Sequence, residues 1–308
     1  MDRNYRYKYE HVQKRLGPFP FTLADINSGP VDLNPGSYTV LLAGVFAVFA
    51  ASHKLPPIPH SWFRQIRRRC VMVEDLGPLP ELIQSLGGKY QYLISTYDCA
   101  ALTMLCRGLP SIRKIYVIPH YVNTHIYRER GLSKVYDVLF YGNDDARTYP
   151  FRARLRKLLE ASQLKVRIIE HPDYAEFDAE RCGEALARII NQSWLAIATP
   201  SAHDYLVAKY FEISAAGAVV AGKMATQGLS IWKENYLRLE EDMSDQEILG
   251  RLSAALQDKE LLRRQSSAMQ ELVCREYSLD RYVDRLMAVM CDVAADPISS
   301  VAQRGQAG

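Results

Sequence analysis

The sequence predicts an α/β protein with parallel sheets and helices on both faces of each sheet. Two observations predict this fold class. Short apolar runs of strand length alternate with helix-length segments along most of the chain, an order typical of strands joined by crossover helices. The 308 residues are also enough for two domains of ordinary size.

One polar segment without strong periodicity, Tyr121–Val135, separates two series of such units and is the predicted domain boundary. We place the division inside it. The predicted parts are an N-terminal domain (1–128), a C-terminal domain (129–278), a helix that packs back toward the first domain (279–294) and a disordered tail (295–308).

The elements of the first series follow from apolar runs and their Gly and Pro punctuation. A short polar helix over the first 20 residues and a weak strand, "FTLADI", precede a Gly- and Pro-rich loop. The remaining elements are predicted in the order strand "YTVLLAGVFAVF", helix "SWFRQIRRR", strand "CVMVEDLG", helix "LPELIQSLGG", strand "YQYLIST", helix "DCAALTMLCRGL" and strand "IRKIYVIPH".

The second series repeats the alternation, and its first helix has a proline in the first turn, where the missing N–H does no harm. Three helices then close the fold. The predicted order is strand "YDVLFYGND", helix "PFRARLRKLLEAS", strand "KVRIIEHP", helix "ERCGEALARIINQS", strand "WLAIATPS", helix "YLVAKYFEISAAG", strands "AVVAGK" and "YLRLEED", and helices "SDQEILGRLSAALQD", "KELLRRQSSAMQELVCREY" and "SLDRYVDRLMAVMCDVA".

The composition argues against several classes of protein. Lys and Arg total 38 against 35 for Asp and Glu, a balance that does not favour a nucleic-acid binder. The six cysteines include no CxxC pair and no zinc-like His spacing, so we expect reduced thiols and a cytoplasmic protein.

The sequence also argues against membrane insertion. The polar N-terminus does not resemble a signal peptide. The longest apolar run, Val40–Ala51, has about 12 residues, whereas a transmembrane helix needs roughly 20. The basic cluster Arg64–Cys70 is interpreted as a solvated helix face, with peripheral contact to a membrane surface or polyanion as the alternative.

Polar residues follow many of the predicted strands. Taken singly, each is explained by helix capping or a turn. As a set at the carboxyl ends of parallel strands, facing a cleft between two domains, they predict a ligand site. They are Glu74, Asp75, Asp98, His120, Asn143, Asp144, Asp145, His171, Thr199 and Ser201.

Three common catalytic motifs are missing from the sequence. No GxGxxG follows a strand and there is no GxxxxGK[ST], so nicotinamide-dehydrogenase and P-loop functions lose their main support. The absence of a GxSxG elbow makes an α/β-hydrolase a poor interpretation.

The stretch "SAHDYLVAKYFEISAAG" carries the most chemistry. If one helix runs from Asp204 to Ala216, its N-terminus offers N–H groups to a diphosphate and Lys209 adds a full charge. Asp204 and Glu212 are eight residues apart, which places both on one helix face. A carboxylate there suits two sugar hydroxyls, and an ion pair with Arg152 is the alternative for Glu212.

These residues carry a resemblance to a known family. "KYFEISAAGAVVAG" and the segment "ENYLRLEEDMSDQEILGRLSAALQDKELLRRQSSAMQELVCREYSLDRYVDRL" resemble the C-terminal domain of GT-B glycosyltransferases, most closely the group called CgeB-like or glycosyl transferases group 1. "VIPHYVNTHIY" before "YDVLFYGN" resembles the interdomain hinge, which includes His120, and "YPFRARLRKLL" resembles the first helix of the C-terminal domain. The resemblance covers about Ile115–Leu286 and is much weaker before it.

The resemblance implies the GT-B fold: two Rossmann-like domains whose parallel sheets face each other across a cleft, with a C-terminal helix crossing back. It also implies an enzyme of glycan biosynthesis that moves a sugar from a nucleoside-diphosphate donor to a hydroxyl acceptor. The acceptor is open among a glycan, a lipid, a protein, a small molecule and a modified nucleic acid.

The same resemblance implies roles for single residues. Glu212 would bind the ribose and Asp204, where the family has glutamate, the donor sugar. Arg152 and Lys209, with Arg147 as a third, would hold the diphosphate and stabilise its leaving charge without a metal or other cofactor. Their positions after predicted strands add Ser201, His171 and Tyr174 to this donor-binding set; His171 and Tyr174 would flank the nucleotide base unless "EHPDY" is a plain turn.

The acceptor side depends on the strand-end residues alone. An inverting transferase needs a general base, for which Glu74, Asp75 and Asp98 are the candidates. A retaining enzyme has no such need, and the sequence leaves the stereochemistry open. His120 fits a hinge role as well as a catalytic one. The alternative functions are a nucleotide-sugar epimerase of the same architecture and a non-catalytic nucleotide-sugar-binding protein.

Overall fold

A computed structural model of the chain describes residues 40–45, 68–73, 79–170 and 182–297. The chain divides into two compact units. The first unit extends to Ile118 and resumes at Val283, and the second runs from Pro119 to Tyr282. The division therefore falls about ten residues before the position expected from the sequence.

The described strands of the first unit form a parallel sheet in the order β1-β2-β3-β4. Its inner strands are mostly buried: all of β3 and the last four residues of β2, "CVMV", as expected where helices cover both faces of a parallel sheet. The elements are β1 Val40–Val45, β2 Arg68–Val73, α1 Leu79–Leu86, β3 Tyr92–Ser95, α2 Ala100–Arg107 and β4 Lys114–Val117.

The second unit contains a parallel sheet in the order β6-β5-β7-β8-β9. Its strands are β5 Tyr136–Tyr141, β6 Val166–Ile169, β7 Ser193–Ile197, β8 Val219–Gly222 and β9 Leu237–Arg238. Its helices are α3 Pro150–Glu160, α4 Gly183–Asn191, α5 Lys209–Ala215, α6 Thr226–Trp232, α7 Asp245–Gln257 and α8 Lys259–Glu276.

Helices cover both faces of this second sheet. On one face α5 packs Phe211 and Ile213 with Trp232 of α6, beside the buried Val220 of β8. On the other face Leu155 of α3 belongs to a second apolar cluster with residues of β5, β7 and α7. These two layers confirm the α/β class predicted from the alternating pattern.

The last helix, α9 (Leu279–Ala295), passes from the second unit to the first. Near its end Asp292 accepts hydrogen bonds from Lys114 and Tyr116, two residues of β4. These donors lower the pKa of Asp292. Asp296, just beyond the helix, accepts a 2.5 Å hydrogen bond from Tyr92 of β3. The predicted C-terminal helix that crosses back is therefore present.

Gly217 explains where α5 ends. Its φ of +81° is left-handed, which is the usual conformation of the glycine just after a helix. A Cβ at this position would lie 1.8 Å from Oε2 of Glu129, so a larger residue would also displace the Glu129 carboxylate. The "SAAG" ending of this helix follows from both constraints.

Three predicted elements differ from the structure. Arg68 and Arg69, predicted in a helix, lie in β2, where pairing with β1 overrides the local pattern; the interpretation of the basic cluster as a helix face is wrong for them. Helix α5 begins at Lys209 rather than at Asp204 or Tyr205. Helix α6 is missing from the prediction.

Some expectations fall on other parts of the chain. The predicted helix and strand before residue 40 lie outside the described residues, as do residues 298–308 of the predicted tail. None of the described helices is both long and apolar enough to cross a membrane.

Candidate functional site

The topology of the second sheet selects one edge for a ligand. Strand β5 has β6 on one side and β7 on the other, so the chain reverses its direction of winding between β5 and β7. Ligands of open parallel sheets bind beyond the carboxyl ends of the strands at such a reversal. Gly142 follows β5 there, and Thr199 lies shortly after β7.

Lys209 is the first residue of α5, and its side chain is buried at this edge. The ammonium group donates a hydrogen bond to the carbonyl of Tyr141 and lies 4.2 Å from the centre of the Tyr141 ring. Burial, and then the nearby charge of Arg152, hold the pKa of Lys209 well below its usual value. The side chain is therefore an amino group in a poorly solvated place, where an anionic ligand would favour its protonated form.

Gly142 makes room for that ammonium group. A Cβ at this position would lie 2.7 Å from Nζ of Lys209, closer than real contacts allow. Its φ of +86° is also left-handed, so a residue with a side chain would be strained. The left-handed turn thus favours a glycine in "FYGND", and a side chain there would also displace the neighbouring lysine.

Glu212 lies one helical turn after Lys209 and remains partly exposed. Its Oε2 accepts a hydrogen bond of 3.4 Å from the hydroxyl of Tyr141, and Tyr127 donates a second one. Burial raises the pKa of Glu212, while Lys209 and the two tyrosine hydroxyls oppose the rise. These partners explain how a carboxylate is tolerated in an otherwise apolar helix.

Arg152 ties two loops of the site together. Its guanidinium donates to the carbonyl of Asn143 at 2.8 Å, and to the carbonyl and hydroxyl of Thr199 at 2.7 and 3.2 Å. It also stacks 3.9 Å from the ring centre of Tyr149. Among the described residues, Arg152 therefore does not form the ion pair with Glu212 that the sequence offered as an alternative.

Asp204 does not share a helix face with Glu212, which corrects the expected geometry. It lies in the loop after β7 with a left-handed φ of +58°, and its N–H donates to the carbonyl of Ser201 at 3.0 Å. Its carboxylate accepts the N–H of Thr226, at 3.2 and 3.3 Å, at the start of α6. Because the chain forms a turn that begins at Ser201, the helix begins only at Lys209.

The other donor-side candidates surround the same edge. Ser201 is buried and accepts the N–H of His203 at 3.2 Å. Arg147 is exposed in the loop after β5. That loop is joined to the loop after β7 by a 2.8 Å hydrogen bond from Ala202 to Thr148.

The remaining candidates are dispersed or not described. Asp98 is exposed between β3 and α2 in the first unit, and His120 is the second residue of the second unit. Glu74 and Asp75 follow β2, and His171 and Tyr174 follow β6, but all four lie outside the described residues.

Two residues of the site, Tyr127 and Tyr141, were not among the sequence candidates. Their contact with Glu212 depends on long-range packing, since they precede it by 85 and 71 positions. The only local signal is that Tyr141 ends an apolar strand directly before a glycine, at the edge where strand-end residues collect.

Solved structures similar to this chain come from glycosyltransferases. The sucrose-phosphate synthase of Thermosynechococcus elongatus aligns with a TM-score of 0.57 and 13% identity, over 83% of this chain and 74% of that one. A trehalose-6-phosphate structure from E. coli bound with UDP-2-fluoro glucose aligns with a TM-score of 0.51 and 12% identity, over 84% of this chain and 73% of that one. Trehalose-6-phosphate synthase OtsA aligns with a TM-score of 0.50 and 12% identity, over 77% of this chain and 70% of that one.

These similarities establish the fold. The neighbours are GT-B glycosyltransferases, so the predicted GT-B fold is confirmed. No protein-family model matches the chain, and no relative is found among curated protein sequences. The identities are too low to transfer an activity or a residue role.

Proposed function

We propose that this protein is a glycosyltransferase that moves a sugar from a nucleoside-diphosphate donor to a hydroxyl acceptor. The observation that carries the proposal is the convergence of Lys209 and Glu212 where the second sheet reverses, with the charge of Arg152 close by. An amino group and a carboxylate one helical turn apart match the phosphate and the vicinal hydroxyls of one nucleotide. The GT-B fold supports the same function.

Each donor-side residue has a role in this proposal. Glu212 accepts hydrogen bonds from the ribose hydroxyls, and Lys209 stabilises the negative charge of the diphosphate as it leaves. Arg152 contributes positive charge while holding the loops after β5 and β7 in place. Asp204 contacts the donor sugar through lone pairs that its bond to Thr226 leaves available, since a carboxylate has about four acceptor positions.

The peripheral assignments remain part of the proposal. Arg147 and Ser201 lie on the loops next to the diphosphate, and His171 with Tyr174 flanks the base. Placement in the CgeB-like group is proposed from the resemblance of the C-terminal sequence. On the acceptor side, Glu74, Asp75 and Asp98 are the candidate bases if the reaction inverts, and His120 is the proposed hinge.

A thermal-shift screen of the purified chain against nucleoside diphosphates and nucleotide sugars tests the proposal. A ligand at 100 times its Kd stabilises the folded state by about 2.7 kcal/mol, so one nucleotide of the panel is expected to raise Tm by several degrees. A flat response across the whole panel would contradict the proposal. Binding without transfer or hydrolysis of the sugar would favour the non-catalytic alternative.

Metal dependence provides a separate prediction. Because Arg152 carries a positive charge and a bound diphosphate would favour the protonated form of Lys209, we expect transfer to continue in excess EDTA. The measurement is the rate of nucleoside-diphosphate release with and without chelator. Loss of that rate in EDTA, followed by recovery on adding Mn²⁺, would show that a divalent ion supplies the charge instead.

A further inference from the structure

Lys209 and Glu212 have a spacing that would normally let them neutralise each other. They are three residues apart on α5, and opposite charges at this spacing are neighbours on a helix surface. A direct ion pair would occupy the ammonium group and the carboxylate together. Neither group would then be fully available to a ligand.

In the structure both charged groups instead contact Tyr141. The carbonyl of Tyr141 accepts a hydrogen bond from Nζ of Lys209, and the centre of the Tyr141 ring lies 4.2 Å from the same nitrogen. The Tyr141 hydroxyl donates a hydrogen bond of 3.4 Å to the Glu212 carboxylate. Within the described residues, no ion pair is formed between the lysine and the glutamate. Tyr127 supplies a second hydroxyl to the carboxylate.

Tyr141 is well suited to hold two groups apart because its own position is fixed. It is the last residue of β5, paired in register with Ile169 of β6, and only 5% of its surface is exposed. The turn at Gly142 follows at once. Tyr127 lies on a different segment, before the sheet, and is partly buried in the same apolar cluster.

We propose that Tyr141 and Tyr127 are positioning residues that hold Glu212 apart from Lys209 and aim its carboxylate at the ribose, so that the site selects ribonucleotides over nucleotides without 2′ and 3′ hydroxyls. This inference rests on the proposed function. It adds two residues and a specificity to it. The tyrosines touch the carboxylate rather than the reacting atoms, so they position and do not catalyse.

The charged and titratable groups around Glu212 determine how ribose binding depends on pH. Lys209 faces Glu212 from the same helix, and Tyr127 and Tyr141 face it from the segments packed against that helix. Two further titratable groups lie behind the tyrosines: Cys182 interacts with Tyr127, and Arg152 interacts with Tyr141. The two hydroxyls lower the pKa of Glu212 against the effect of burial. Removing them therefore raises this pKa, so that the carboxylate is protonated at higher pH and binds ribose less well.

The test uses calorimetry with UDP and its 2′,3′-dideoxy analogue, or the same pair for whichever base the thermal screen selects. The variants are Tyr141→Phe, Tyr127→Phe and the double change, which keep both rings. Tyr136→Phe, at the opposite end of β5, is the matched control. Wild type and control are expected to prefer the ribonucleotide by about tenfold or more, the strength of hydrogen bonds to a charged acceptor.

In the double variant we expect that preference to fall to about twofold or less, while affinity for the dideoxy analogue stays within about twofold of wild type. Because loss of the two hydroxyls raises the pKa of Glu212, part of the preference should return as the pH of the titration is increased and the carboxylate ionises. Equal losses for both nucleotides, or an unchanged preference, would overturn the inference. Failure of the wild type to bind either nucleotide would overturn the proposed function itself.

Discussion

Replacing Glu212 by glutamine is expected to weaken nucleoside-diphosphate binding by about tenfold to a hundredfold. Hydrogen bonds to a charged group contribute about 1.5–3 kcal/mol each, and about 1.4 kcal/mol corresponds to a factor of ten in affinity. Glutamine keeps the shape of the side chain but removes the charge that accepts two sugar hydroxyls. Calorimetry with the nucleotide identified by the thermal screen measures the change.

Stability distinguishes a functional role of this carboxylate from a structural one. Burial raises the pKa of Glu212, so its charge is costly to the folded state even though the side chain is partly exposed. A neutral glutamine should leave Tm unchanged or slightly higher while binding is lost. Glu271→Gln, on the exposed face of α8, serves as the matched control and should change neither property.

Two results would contradict this interpretation. Unchanged nucleotide affinity in Glu212→Gln would remove Glu212 from the ribose site. A fall in Tm of several degrees, with affinity lost only in proportion to unfolding, would assign the carboxylate to a packing network with Tyr127 and Tyr141.

The sequence predicts the fold better than the geometry of the site, for a physical reason. Strand and helix patterns are local, and the buried runs of β2, β3, β5 and β8 are visible in the chain. The order β6-β5-β7, which selects the site, depends on pairing between distant segments and leaves no periodic signal. Local patterns also fail at Arg68 and Arg69, where pairing in the sheet decides the conformation.

The same distinction separates the site residues. Lys209 and Glu212 are close in the chain, so a helix is enough to bring them together. The position of Asp204 could not be predicted in this way, because a turn places it outside that helix. Its hydrogen bond to Thr226 also joins positions that are 22 residues apart in the chain. The contact of Tyr127 with Glu212 depends on the completed core, which no short motif describes.

Replacing Arg152 by alanine is expected to lower the free energy of unfolding by about 3 kcal/mol or more. Arg152 is 3% exposed, and its guanidinium donates to the carbonyls of Asn143 and Thr199 and to the Thr199 hydroxyl. Alanine leaves these acceptors without their donor, at a cost of about 1–3 kcal/mol for each buried group. Chemical denaturation followed by circular dichroism measures the loss, with Lys157→Ala, exposed on the same helix, as the control within about 0.5 kcal/mol of wild type.

This expectation changes how an activity loss at Arg152 must be interpreted. A low turnover in Arg152→Ala reflects missing charge at the diphosphate only if the variant remains folded at the assay temperature. Arg152→Lys separates the two effects, because lysine keeps the charge but lacks the planar fork that reaches both loops at once. We expect Arg152→Lys to be destabilised yet to retain more turnover per folded molecule than Arg152→Ala. Equal turnover per folded molecule in the two variants would show that Arg152 acts by holding the loops alone.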